Sequence, residues 1–170
     1  MAQDMLHANH IVAESTNILS TNFGGGHIYS IAIAEDMDNG LLVARAEYAD
    51  GEYEDEVWAA KAYAAGDEAL LLLNPPTMAF TALQGYTTED RFYNAAGDIV
   101  RAYTLRVGDR FTLSEAAFET APEAKQYVTY DAADKKYVVG AKTEGKFCAQ
   151  VLTRIPRTNQ MMYKIQVVSL

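Results

Sequence analysis

The clearest alternation of apolar and polar positions lies near the end of the chain, where Tyr163, Ile165 and Val167 interleave with Lys164 and Gln166. Successive side chains of a strand point to opposite faces, so this period of two predicts a half-buried strand over 162–168. Apolar, β-branched and aromatic runs bounded by turn residues predict further strands at 28–34, 41–45, 137–139 and 147–155. Three more begin at a repeated corner. Gly66-Asp67 leads into 68–73, Gly97-Asp98 into 99–105 and Gly108-Asp109 into 110–113. Glycine adopts positive φ without steric cost and Asp hydrogen-bonds nearby backbone, so each pair reads as a turn that launches a strand. Asp38-Asn39-Gly40 predicts a tight hairpin turn joining the strand 28–34 to 41–45. Val57 to Ala62 is too short to assign, and Pro75-Pro76 ends the strand before it because proline cannot donate to a ladder.

Residues 1–27 show neither periodicity and end in Gly24-Gly25-Gly26. They read as an N-terminal arm hinged on the glycines or as a disordered tail, and Ile11, Val12, Ile18, Leu19 and Phe23 are more apolar material than a solvated tail needs. Short helical turns are expected at Thr87–Tyr93 and at Ser114–Phe118, each with a hydroxyl residue at its start. The fold expectation is mainly β: a single β-barrel or β-sandwich over 28–170 with an extended arm over 1–27.

Composition narrows the function classes. The length of 170 residues suits one domain with a sizeable core. A net charge of −9 repels phosphate backbones and anionic bilayers, which argues against nucleic-acid and membrane partners. Eleven tyrosines suit half-buried strand positions and contact surfaces. Cys148 is the only cysteine and lies in an alternating run, as a buried hydrophobe would. Met1 to His7 carries no basic region followed by an apolar core, and no apolar run approaches a membrane span, so neither export nor membrane insertion is expected.

Chemistry-bearing constellations are sparse. The histidines His7, His10 and His27 all fall in the arm, and no neighbouring ligand pattern completes a metal site. Asp36 to Glu47 approaches a calcium loop, but Gly40 is fifth rather than sixth, where that loop must turn. The carboxylates of 47–56 read as solvated charge, and no nucleophile elbow, phosphate loop or dinucleotide fingerprint occurs. No catalytic, metal or cofactor residue is therefore assigned, and a non-enzymatic binding protein is the expectation.

The segment from Phe92 to Ser114, with its two Gly-Asp corners, and more loosely 38–118, resembles the small auxiliary, decoration or cement proteins of tailed-bacteriophage capsids. The resemblance implies a non-enzymatic protein made in the bacterial host cytoplasm that binds the outside of the assembled shell. Its partners would be the major capsid protein and neighbouring copies of itself. On that reading Ile11, Val12, Ile18, Leu19 and Phe23, with the Gly24, Gly25 and Gly26 hinge, would grip neighbouring subunits, and deleting residues 1–23 would leave a folded domain. Two other classes stand beside it. An aromatic pocket around Trp58 would favour a β-barrel module for a small molecule or carbohydrate, and a pair of inward carboxylates would favour a small β-fold hydrolase using the acidic loop.

Overall fold

A computed structural model describes residues 10–21, 27–49, 56–74, 92–157 and 160–170. Its strands are β1 (Ala13–Asn17), β2 (Ile28–Ala32), β3 (Leu42–Tyr48), β4 (Val57–Ala62), β5 (Leu70–Leu72), β6 (Ile99–Thr104), β7 (Arg110–Ser114), β8 (Tyr127–Asp131), β9 (Lys136–Gly140), β10 (Cys148–Pro156) and β11 (Met161–Ser169). The expected mainly β class holds, and it takes two forms in one chain. Strands close into a five-stranded barrel in the order β2-β4-β3-β5-β6, while β1-β7-β11-β10-β8-β9 make a six-stranded sheet. A single apolar core runs through both. Every strand pair is antiparallel except β2 with β4.

The Gly-Asp corners share one geometry. In each, the Asp amide donates to the carbonyl three residues back while its carboxylate accepts that same residue's amide: Ala64 for Asp67, Ala95 for Asp98, Arg106 for Asp109. The glycine between them sits at φ of +91°, +92° or +99°, where a side chain would be strained. Glu123 and Gln126 repeat the exchange with an amide side chain, and there Lys125 takes the positive φ of 72°. Such reciprocal bonding closes a corner from four consecutive residues, so strands can leave it before any long-range contact forms.

The Asp38-Asn39-Gly40 turn departs from the hairpin expectation. β2 pairs with β4 and β6, β3 pairs with β4 and β5, and the two never meet. Gly40 instead occupies a buried corner at which barrel and sheet touch. Its φ is +84°, and an added Cβ would stand 2.6 Å from Leu113 Cδ2 and 3.0 Å from Ala13 Cβ, so only glycine lets the two walls close. The Gly40 carbonyl accepts the buried Tyr137 hydroxyl at 2.7 Å, and its amide donates to Leu72 O at 2.7 Å. Asn39 and Asn74 exchange side-chain and backbone bonds beside it, and Asn94 joins them through Asn39 Oδ1 and Met37 O. These amides satisfy the buried backbone that an irregular crossing leaves over.

The expected arm is corrected over its described length. Residues 13–17 form β1, the edge strand beside β7, and Ile11, Val12 and Ile18 are buried in the chain's own core. Sequence periodicity missed this strand because β1 is largely exposed, while the apolar residues that anchor it flank it on both sides. Polar clamps finish the attachment. Val12 N–H donates to Ser114 Oγ, Ile11 N–H to Asp38 Oδ2 and Leu19 N–H to Asp109 Oδ1, at 2.9, 3.0 and 2.9 Å. Ser114, expected as a helix cap, makes no side-chain cap bond to the 3-10 turn Glu115–Ala117; its hydroxyl holds the N-terminal segment instead. Phe23, Gly24, Gly25 and Gly26, most of the expected turn at Thr87–Tyr93, and Pro75-Pro76 lie outside the described residues.

Candidate functional site

Of the residues expected to face a partner, Leu19 alone among those described keeps a large exposed surface, at 42%. Ile11, Val12 and Ile18 spend their apolar surface inside the fold and have none to offer a neighbouring subunit. His10 is buried, its Nδ1 2.6 Å from Asp38 Oδ1 and its ring stacked on Tyr93. Asp38 also takes the Ile11 amide and Asp36 takes the Ala96 amide, so both aspartates of the near-calcium loop serve backbone donors. Among the described residues no group of three or more His, Cys, Asp or Glu is placed to hold a metal, and no helix is long and apolar enough to cross a membrane. Cys148 is buried and free. Of the acidic stretch, Glu47 and Glu56 are described and exposed, and 50–55 lie outside the described residues.

The arrangement that stands out is at one mouth of the barrel. Pairing registers place Tyr29 (β2), Trp58 (β4), Arg45 (β3) and Thr104 (β6) on the same face as the buried Ile31, Val43, Leu70 and Ala102, which is the barrel interior. Glu68, two residues before Leu70 in the segment leading into β5, completes a ring with these residues of the other four barrel strands. The Arg45 guanidinium lies between two aromatic faces, 4.4 Å from the Tyr29 ring centre and 4.7 Å from that of Trp58. It pairs with Glu68 Oε2 at 3.2 Å, and Thr104 Oγ1 donates to the other Glu68 oxygen at 3.3 Å. Tyr48, 54% exposed, meets Trp58 edge to face at 5.0 Å, and His27 stands beside Tyr29. Trp58 Nε1 is buried and makes no hydrogen bond.

Each stacking contact contributes about 0.5–1 kcal/mol near the surface. Side-chain exposures of 32% for Arg45 and 31% for Glu68 keep the ion pair within the modest range of solvent-screened pairs. The consequence is mainly geometric: a long, rotamer-rich cation is fixed with an indole and two phenols before any partner arrives. Trp58 thus sits where an aromatic pocket was envisaged, but Arg45 fills the space. The sequence signal was present in the strand alternation. Val43 is followed two positions on by Arg45, and Leu70 is preceded two positions back by Glu68, so a charge falls where the period demands an apolar residue.

The outer face of β2 and β6 is apolar in part. Ile28 pairs across the ladder with Tyr103, and Ala32 with Ile99. Ile28 and Ile99 are 48% and 42% exposed, and the 3-10 turn Leu19–Thr21 lies against β6.

A chain of aromatic rings lies under the sheet. Tyr163, Phe118, Tyr137 and Tyr130 follow one another at centroid separations of 5.1, 5.7 and 5.1 Å, with Phe147 beside Tyr137. Burial pushes the Tyr130, Tyr137 and Tyr163 hydroxyls above the ordinary value of 10.0, and Tyr63, whose oxygen accepts the Phe147 amide, is raised for the same reason. Comparison with protein-family models, curated proteins and solved structures gives no match.

Proposed function

We propose that this chain is a non-enzymatic virion structural protein that binds the outside of a tailed-phage capsid, contacting the major capsid protein through the barrel mouth. The supporting observation is the stack Tyr29–Arg45–Trp58–Tyr48. Trp, Tyr and Arg are the residues in which binding energy concentrates at protein interfaces, and here they are clustered, partly exposed and held in one geometry. The exposed Leu19, Ile28 and Ile99 extend the contact with an apolar wall. In this reading the folded barrel, rather than a loose arm, carries the grip. The capsid identity rests on the resemblance of the Phe92 to Ser114 segment.

Co-sedimentation with assembled shells of the phage that encodes the chain tests the reading. Saturable binding is expected, with Tyr48→Ala or Arg45→Ala weakening it by at least about tenfold, the effect of losing one strong interface residue. Absence of wild-type binding overturns the capsid assignment, and undiminished binding by both variants overturns the barrel-mouth contact.

A further inference from the structure

We propose that the open edge of β10 over residues 152–155 takes an extended, acidic segment of a partner polypeptide as an added strand. β10 runs for nine residues and pairs with β11 along nearly all of them, but its other side pairs with β8 only at Cys148, Ala149 and Gln150. One further exchange follows, in which Lys125 N–H donates to Val151 O and Val151 N–H to Gln126 O. Among the described residues nothing pairs with that side beyond Val151. The corner over 123–126 is the cause: its reciprocal bonds, with Lys125 at a φ of 72°, turn the chain out of the β8 line, and β10 continues without a neighbour. The register with β11 slips between Val151 and Thr153, where the β8 pairing stops. Leu152, Thr153 and Arg154 are exposed, so the edge is reachable rather than covered.

An unpaired strand edge selects its own ligand chemistry. Its amides and carbonyls are matched by the backbone of another extended peptide, and the side chains beside the opening decide which peptide. Here those side chains are basic. Lys164 on β11 lies across the ladder from Thr153, Lys125 stands at the near end of the opening, and Arg154 lies within it. Glu115, at the Tyr163 hydroxyl that Arg154 also meets, offsets the arginine, but among the described residues neither Lys125 nor Lys164 makes an ion pair. Residues 124–170 carry eight Lys or Arg against three Asp or Glu, in a chain whose net charge is −9. A segment bearing Asp or Glu is therefore attracted to this edge. Two copies joined edge to edge through β10 would instead bring the same basic side chains together, which selects an acidic partner segment over a second copy. Pro156, which has no amide to donate, ends the opening at the hairpin tip. The edge shares no residue with the barrel mouth, so its occupant is a question separate from the contact proposed there.

The test is amide-resolved NMR of the full-length chain titrated with three blocked hexapeptides: one alternating valine with glutamate, one with lysine in place of glutamate, and the glutamate peptide N-methylated at its valines. Saturable shifts confined to Lys125, Gln126, residues 151–155 and Lys164 are expected with the glutamate peptide. N-methylation removes backbone donors and should weaken binding by about tenfold, while the lysine peptide, or Lys164→Glu in the chain, should weaken it by about fivefold. No saturable shift with the glutamate peptide overturns the proposal. So does equal binding of the N-methylated peptide, which would mark charge alone, or a concentration-dependent shift of the same edge without peptide, which would mark pairing of two copies.

Discussion

The barrel and the six-stranded sheet carry apolar side chains on their inner faces in different ways. On the sheet the apolar pattern runs unbroken across the strands: Leu113 and Phe111 on β7, Tyr163, Ile165 and Val167 on β11, Val151 and Ala149 on β10, Val128 on β8 and Tyr137 on β9 are all buried. In the barrel the same alternation begins with Ile31, Val43 and Leu70 and then changes at one end to Tyr29, Arg45 and Glu68. A charged residue at an inward position is a local cost that folding alone does not require. The sheet is accordingly the more uniformly apolar body, and the barrel mouth is where the proposed contact would lie.

The strongest way to break that division is to remove the strand that the sheet borrows from the N-terminal segment. Burial of Ile11, Val12 and Ile18 contributes about 1.5–3 kcal/mol for each side chain, against a total stability of about 5–15 kcal/mol for a typical domain. Deletion of residues 1–21 is therefore expected to abolish cooperative unfolding in a thermal melt. A well-folded 1–21 truncation would return the segment to the role of a dispensable arm.

Gly40 sharpens the junction. At Gly66, Gly97 or Gly108 an added Cβ meets open space, so alanine there costs about 1–2 kcal/mol of backbone strain. Gly40→Ala adds the contact with Leu113 and Ala13, a further cost of about 1–3 kcal/mol for overpacking. Chemical denaturation should rank Gly40→Ala well below the other three variants.

The corners offer a comparison in which local structure is held constant. Asp109 is buried and also holds the Leu19 amide, so Asp109→Ala strands two backbone donors and should cost about 2–4 kcal/mol. Asp67 and Asp98 serve exposed corners. Lys61 beside Asp67 holds its carboxyl below the ordinary value of 3.8, a contribution present above that pH and lost in acid. Alanine at either position should shift the melting temperature much less than at Asp109.

A smaller effect separates the lobes by pH. Tyr63, Tyr130, Tyr137 and Tyr163 are raised by burial above 10.0, so in the alkaline range the unfolded chain loses protons that the folded chain retains. Stability contributed by these groups is complete below about pH 10 and declines as pH rises beyond it. A pH titration following tyrosinate absorbance together with circular dichroism should show their ionisation coinciding with loss of the sheet. All eleven tyrosines titrating in one step with the fold intact would contradict this.

Much of the strand content was legible because each strand's information is local. β6 and β7 follow their Gly-Asp corners within a residue of the expected limits, and β11 spans Met161–Ser169 where alternation placed 162–168. What failed depends on distant partners. β1 carries almost no apolar pattern of its own and is defined by β7, nearly a hundred residues away. Asp38-Asn39-Gly40 has the composition of a hairpin turn, yet Leu113 and Tyr137 decide its use. β8 went unassigned because Tyr127–Asp131 lies between polar stretches and only Val128 is fully buried. At the barrel mouth Arg45 and Glu68 break the alternation of their segments, a signal the sequence reading passed over, and their common ring emerges only when β3 and β5 are set side by side.

Whether the N-terminal segment is part of the folded body or a free grip is tested most directly by native-state hydrogen exchange of the intact chain. Protection of Ile11 to Thr16 equal to that of Phe111 to Ser114 is predicted, since β1 and β7 share one ladder and one core and would open together. Exchange of Ile11 to Thr16 at the rate of an open chain, with β7 still protected, would contradict it and return partner binding to the arm.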